Sequence, residues 1–253
     1  MDNLDNVIRD LVTANRILAH EGVVDAYGHV SVRHPSDPAR YLLSRSRSPQ
    51  LVGPGDILEY RLDGEPIGGA AHAPYVERHI HGAIYEARPE IQAVVHSHAD
   101  DVLPFSVTAA PLRPVIHTAS AMGSRVPLWD IRDRFGDTNL LVVDMEQGRD
   151  MAQCLGAERM VLMRGHGFSA AARTLIELVK MAIYIPRNAR ILTEALRLGE
   201  VKYLSQGEID IRSSVDPNVS HNRRAWEYWT LRAGLAPFDG DFGNSTSRKS
   251  DPQ

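Results

Sequence analysis

Residues 77–98 read ERHIHGAIYEARPEIQAVVHSH, an amphipathic stretch followed by a short apolar run. Residues 91–95 within it, IQAVV, are mostly apolar and β-branched, which predicts a buried strand. The run leads directly into His96 and His98. Because side chains alternate along a strand, these two imidazoles are expected to point to the same face. Two adjacent imidazoles at the end of a strand predict part of a divalent-metal site.

A second apolar run offers a third imidazole. Residues 160–163, MVLM, lead into RGHG at residues 164–167. Glycines on both sides of His166 allow the backbone to turn sharply and bring its ring close to another element. An isolated His-x-His is more often a hydrogen-bonded core pair than a metal site, so the second segment is what favours metal. Three histidines with an open position are typical of catalytic metal sites rather than closed structural ones.

Four separated motifs resemble the class II aldolase/adducin family over about residues 5–200. They are the glutamate that opens the first helix of the stretch, His-x-His after the next strand, the later His-Gly, and Gly-His-Val-Ser-Val-Arg at residues 28–33. The last of these is similar to the family's G-N-x-S-x-R segment, with His29 in place of Asn.

The resemblance carries implications about fold and site. It implies an α/β protein with a three-layer α/β/α class II aldolase-like fold and a central mixed, largely antiparallel sheet. It implies one divalent metal ion per chain, held by His96, His98 and His166, with Glu77 as the catalytic acid/base. It also implies a homotetramer with active sites near subunit interfaces.

Departures from the family pattern bear on the substrate. The sugar-phosphate aldolases of the family hold phosphate with a Ser-Gly and a Ser-Ser pair. Here Ser44 is followed by Arg45, and Tyr75 with Val76 replaces the two serines before the catalytic glutamate. Arginine, histidine and an aromatic ring suit a flat substrate that carries carboxylates. The pattern resembles the branch that decarboxylates hydroxylated aromatic acids, such as hydroxypyridine dicarboxylates and dihydroxyphthalates.

We therefore expect an acidic aromatic small molecule as substrate. The expected substrate-binding residues are His29, Ser31, Ser44, Arg45 and Tyr75. The Ser/Arg-rich segment at residues 44–49 could equally be a solvated surface loop, which is the usual fate of such a run.

The expected chemistry follows from a metal bound by neutral ligands. Three neutral imidazoles leave the ion its full charge, which stabilises an enolate or phenolate oxygen. Glu77 would move the proton, at a pKa raised by burial if the pocket is apolar. The ligand set suits manganese or zinc, with cobalt or iron as alternatives, and no organic cofactor is expected.

Two other functions remain open. An aldolase or dehydratase acting on an unphosphorylated hydroxy-keto acid would use the same residues, and the released product, an aldehyde or carbon dioxide, distinguishes them. A non-catalytic scaffold of the adducin type is disfavoured because such a domain would be expected to lose the three histidines.

Length and composition limit the class of protein. The chain has 253 residues, of which 43% are hydrophobic, enough for one catalytic domain at residues 1–239. The remaining residues, 240–253, are rich in Gly, Ser, Asn and basic residues, which predicts a disordered tail. A net charge of −4 offers no broad basic surface for nucleic acid.

Other features predict a cytoplasmic protein. Cys154 is the only cysteine, so an intramolecular disulfide is impossible. The acidic N-terminus lacks a signal-peptide pattern, and no apolar run is long enough to span a membrane.

Periodicity predicts the remaining elements. Helices are expected from Leu4 to near Gly22, from Glu77 to Arg88, and from Thr174 to Gly199 with a kink at Pro186. A short aromatic segment at residues 222–229 is expected to pack in the core or on a neighbouring subunit. Further strands are expected at residues 26–33, 41–43, 57–62, 128–130 and 140–143.

Overall fold

The computed structural model describes residues 4–68, 72–213 and 220–236. Its seven strands are β1 His29–Arg33, β2 Arg40–Ser44, β3 Ile57–Arg61, β4 Ala93–Ser97, β5 Leu128–Trp129, β6 Met160–Met163 and β7 Gly167–Ala172. Its eight α-helices are α1 Leu4–His20, α2 Arg78–Ala87, α3 Leu103–Ser106, α4 Arg132–Phe135, α5 Met145–Leu155, α6 Leu175–Leu198, α7 Gln206–Ser213 and α8 Ser220–Arg232. Short 3-10 turns occupy Pro49–Leu51, Pro54–Asp56, Asp100–Val102 and His117–Met122.

All seven strands form one sheet, in the order β3-β2-β1-β4-β7-β6-β5. Every neighbouring pair is antiparallel except β5 and β6, which are parallel. The mixed, largely antiparallel sheet is therefore confirmed. In its centre, His96 of β4 lies opposite His29 of β1 on one side and Ser169 of β7 on the other. This register places three polar side chains in a row across the sheet.

Helices cover both faces of the sheet, so the three-layer architecture is confirmed. One hydrophobic core joins α1, α6 and α8 to one face, and the other joins α2 and α5 to the opposite face. Along β4, Val95 belongs to the first core and Val94 to the second. Since side chains alternate along a strand, His96 lies on the same face as Val94, beneath α2 and α5.

The predicted helix ends are confirmed where capping signals are strong. The Thr174 side chain accepts a hydrogen bond from the Glu177 backbone, and Gly199 ends α6. Pro186 lies inside α6 without ending it. In α8, Trp226 and Trp229 are buried in the first core, so the aromatic segment packs within the chain as expected.

Two strand predictions differ from the structure. The strand expected at residues 26–33 begins only at His29. The strand expected at residues 140–143 is wrong, because this segment joins α4 to α5 without a ladder partner. Leu140 has a left-handed backbone at φ 66°, and the Val142 N–H donates to a side chain instead of a neighbouring strand.

Two further predictions fall outside the described residues. The tail at residues 240–253 and the domain boundary at residue 239 lie outside them. Among the described helices, none is both long and apolar enough to cross a membrane.

Candidate active site

Three imidazoles meet at one end of the sheet, as the sequence predicts. His96 lies near the end of β4, His98 directly follows the strand, and His166 occupies the turn between β6 and β7. The Nε2 atoms of His96 and His98 are 2.9 Å apart, and those of His98 and His166 are 3.1 Å apart. The Glu77 carboxylate completes the cluster, and all four ligand atoms lie within 4.8 Å of one another.

This donor set fits a divalent metal ion. An ion bound tetrahedrally at zinc–nitrogen distances would hold its ligand atoms about 3.3 Å apart, close to the observed spacing. Burial, with the neighbouring histidines, lowers the pKa of His98 to about 4, and burial also lowers the pKa of His96. Both rings are therefore neutral near pH 7, with lone pairs available for coordination. The cluster could hold manganese, zinc, cobalt or iron.

The Nδ1 atom of His96 contacts a side chain of the neighbouring strand β7. Its Nδ1 is 3.2 Å from the hydroxyl of Ser169, which itself lies 3.5 Å from the sulfur of Met163. The serine can donate to the sulfur and accept from the imidazole, which assigns the proton of His96 to Nδ1 and leaves Nε2 free for a metal. Such outer contacts orient metal-binding histidines.

Glu77 stands at the N-cap position of α2 and faces the histidines. Its Oε1 accepts a hydrogen bond from the Val142 N–H at 3.0 Å. Its Oε2 lies 3.5 Å from Nε2 of His96 and 3.6 Å from Nε2 of His166. The segment wrongly predicted as a strand thus supplies a backbone donor to the carboxylate.

The expectation of a raised pKa for Glu77 is reversed. Burial alone would raise the pKa of this carboxyl, but attraction and hydrogen bonding from His96 and His166 outweigh it. Together they hold the pKa of Glu77 well below its usual range. The carboxylate is therefore ionised in the resting site.

His29 and Tyr75 form a wall beside the metal cluster. The ring of His29 is 4.6 Å from that of Tyr75 and 5.2 Å from that of His96, measured between centroids. Tyr75 donates its hydroxyl to the backbone carbonyl of Arg47. On another side, the exposed ring of Tyr27 lies 6.4 Å from that of His98. Aromatic groups therefore border the cluster on two sides.

Ser31 is bonded within the protein, and its predicted contact with substrate stays a prediction. It is fully buried, and its hydroxyl is hydrogen bonded to His81 and Tyr85. His81, four residues after Glu77 in α2, bonds Ser31 and His29. Ser31 therefore contacts His29 of the wall indirectly, through His81.

The segment that carries Ser44 and Arg45 is ordered by Asp56. The Arg45 Nε donates to Asp56 Oδ1 at 2.6 Å, and Arg47 reaches the same oxygen at 3.2 Å. No described residue bonds the two terminal nitrogens of Arg45. The Ser44 hydroxyl is buried without a geometrically acceptable hydrogen-bond partner in the described structure. Burial raises the pKa of Tyr75, and Ser44 lies close enough to that phenol to oppose the rise. The predicted contacts of both residues with substrate remain predictions.

Several functional contacts were missed at the level of sequence. They are the backbone N–H of Val142 and the side chains of Ser169, His81, Tyr85 and Asp56. All except Asp56, which follows Arg45 by 11 residues, lie at least 50 residues from the predicted site residues that they contact, and none stands in a recognisable motif. Only Ser169 could have been found, since it follows His166 by three positions on the adjoining strand.

Comparisons with known proteins agree with this geometry. Residues 9–193 match the family described as Class II Aldolase and Adducin N-terminal domain. The chain is 34% identical to Decarboxylase tropJ of Talaromyces stipitatus, over 88% of this chain and 92% of that protein. It is 30% identical to 3,4-dihydroxyphthalate decarboxylase of Arthrobacter keyseri, over 89% of this chain and 93% of that protein.

Among solved structures, an aldolase II superfamily protein from Pseudomonas syringae has a similar fold. Its TM-score is 0.76 at 19% identity, and the alignment covers 92% of this chain and 94% of that one. At this identity the likeness shows the fold alone.

Proposed function

The chain belongs to the class II aldolase and adducin family, and we propose that it is a divalent-metal-dependent lyase that decarboxylates a hydroxylated aromatic acid. The ring would be a benzene or a pyridine. The observation that carries the proposal is the wall beside the metal cluster, where His29 and Tyr75 stand close to His96. A flat ring fits against such a wall better than a sugar phosphate does. The similarity to two proteins named as decarboxylases supports the same reaction.

His96, His98 and His166 would hold the metal ion, with manganese or zinc as the first candidates and cobalt or iron as alternatives. When bound, the ion supplies Lewis acidity that stabilises negative charge on a ring oxygen. The lowered pKa values of His96 and His98 keep both rings free of competing protons at neutral pH.

Glu77 would move the proton. Its ionised Oε2 accepts the proton of the ring hydroxyl and delivers it to the ring carbon that bears the carboxylate. The bond from that carbon to the carboxylate then breaks, the electron pair returns towards the ring oxygen, and carbon dioxide leaves. One proton from solvent restores the hydroxyl, so each turnover consumes one proton. The Val142 N–H holds Oε1 throughout and leaves Oε2 to face the substrate.

Arg45 and His29 would anchor a second carboxylate. Asp56 holds Arg45 by Nε, which leaves its two terminal nitrogens for a carboxylate. Arg45 is also close in the structure to the segment before Tyr75, because Arg45 forms an isolated bridge with Pro74. The anchor therefore lies beside the segment that carries Tyr75 of the wall.

The test is a carbon dioxide release assay on a panel of hydroxylated aromatic di-acids, with manganese, zinc or cobalt added. Release that depends on metal and on Glu77 is the expected result. A parallel arm measures aldehyde release from unphosphorylated hydroxy-keto acids and from sugar phosphates. Aldehyde release without carbon dioxide release would overturn the decarboxylase proposal in favour of an aldolase.

We also propose that the enzyme is a homotetramer with active sites near subunit interfaces. Large apolar side chains on the C-terminal helices are exposed in the single chain, among them Leu198, Ile211 and Leu231. Light scattering after gel filtration measures the mass, and a monomer at micromolar concentration would contradict this assembly.

A further inference from the structure

Four buried side chains form a hydrogen-bonded row that ends beside the metal cluster. The hydroxyl of Tyr85 is 2.9 Å from that of Ser31, which is 2.6 Å from Nδ1 of His81. The Nε2 of His81 is 2.6 Å from Nδ1 of His29. His29 then stands next to His96, with its own Nε2 at the far side of the ring from His81.

The proton positions in this row follow from its buried end. Burial raises the pKa of Tyr85 well above its usual value, so the phenol keeps its proton. Within the described residues, the hydrogen-bond partners of that phenol are Ser31 and the Val94 backbone, and the Val94 contact lowers the pKa of Tyr85, as an N–H donated to the phenol oxygen does. A buried donor needs an acceptor, and among these partners only Ser31 can accept. Tyr85 therefore donates to Ser31. A serine hydroxyl has one proton, so Ser31 donates its own to Nδ1 of His81.

The same reasoning fixes the two imidazoles. His81 accepts at Nδ1, so its proton is on Nε2 and is donated to Nδ1 of His29. His29 then carries its proton on Nε2. Reversing the direction of every hydrogen bond in the row would leave the phenol proton of Tyr85 without an acceptor among the described residues.

We propose that His81 is a positioning residue that holds His29 in its Nε2–H tautomer, which makes His29 a hydrogen-bond donor to the substrate carboxylate instead of a fourth metal-binding imidazole. The role towards a carboxylate rests on the proposed function, whereas the tautomer does not. The metal cluster agrees with this assignment. His29 lies as close to His96 as a further ligand would, yet the atoms that converge on one point come from Glu77, His96, His98 and His166.

The tautomer can be measured without substrate. Histidine labelled with ¹⁵N in the zinc-loaded protein gives a two-bond correlation pattern that distinguishes Nε2–H from Nδ1–H. His29→Asn assigns the signal by its disappearance. The expected result is the Nε2–H pattern for His29, and the Nδ1–H pattern would overturn the proposal regardless of what the enzyme catalyses.

Variants of His81 test the functional part. His81→Gln keeps an N–H donor near the position of Nε2, whereas His81→Phe fills the space without one. We expect His81→Phe to raise KM for a dicarboxylic substrate about tenfold and to mix the tautomers of His29, since one hydrogen bond to a charged group is lost. We expect His81→Gln to stay within about threefold of the wild type and to keep the Nε2–H pattern.

A double-mutant cycle separates positioning from folding. In a His29→Asn background, the His81→Phe change should have no further effect on KM, because it acts through His29. If the increases in KM from the two substitutions are additive, His81 acts only in packing. The same conclusion follows if His81→Gln and His81→Phe raise KM equally and leave the tautomer of His29 unchanged. If His81→Phe does not fold, Tyr85→Phe removes the outer donor of the row, and it should mix the tautomers of His29. An unchanged Nε2–H pattern in Tyr85→Phe would overturn the directional argument.

Discussion

Gly167 allows β7 to approach the end of β4, and its replacement by Ala should loosen the metal site. A Cβ at this position would lie 2.1 Å from the Ser97 carbonyl oxygen and 3.1 Å from the Cα of His98. Ordinary contact begins at 3.4 Å, so the two segments must separate by about 1.3 Å (3.4 − 2.1). His166 immediately precedes Gly167 and moves with it. Since metal–ligand distances tolerate only about 0.2 Å, we expect a 10- to 100-fold loss of zinc affinity.

The assay is a competition for zinc between the protein and a chromophoric chelator, with circular dichroism as the check of folding. Gly165→Ala is the matched control within the same turn. Its backbone is left-handed at φ 61°, but the added Cβ would meet only Val107 at 3.9 Å. The control should lose about 1–2 kcal/mol of stability and keep its zinc affinity within about threefold. A folded Gly167→Ala protein with wild-type affinity would refute the argument that this close approach sets the ligand geometry.

Three further predictions concern the site itself. Replacing any one of His96, His98 and His166 by Ala should lower the metal content, measured by mass spectrometry, below about one ion per chain. A full metal content in His166→Ala would remove that residue from the ligand set. Glu77→Gln should keep the metal but lower kcat about a hundredfold or more, and an unchanged kcat would exclude its proton-transfer role. Arg45→Ala should raise KM for a dicarboxylic substrate about tenfold while affecting a mono-acid much less, and equal effects on both would mean that Arg45 only supports its loop.

Local sequence patterns were sufficient to predict the strands that lead to the metal-binding histidines. β4 and β6 are short apolar runs bounded by polar or glycine residues, and such runs report burial directly. The ends of α6 carry a threonine and a glycine with specific capping roles, so both were predicted to the residue. The convergence of His96 with His98 follows from strand alternation, because the two residues are close in sequence.

The contacts that arise between distant segments could not be predicted. The segment from Leu140 to Val143 is as apolar as a strand, but the Val142 N–H bonds the distant side chain of Glu77 instead of a neighbouring strand. Hydrophobicity indicates burial without indicating what satisfies the backbone. The same holds for Arg45, whose exposed charge suggested a free fork, whereas Asp56 holds one side of it. Local sequence contains neither partner.

Glu77 shows why the protonation state of a site depends on its tertiary partners. Burial alone gives the wrong direction for the pKa of this carboxyl. The opposing influences come from His96 on β4 and His166 in the turn before β7, each about 3.5 Å from the same oxygen. An ionised carboxylate must accept a proton before it can deliver one. In the reaction proposed above, the ring hydroxyl next to the scissile carboxylate provides that proton.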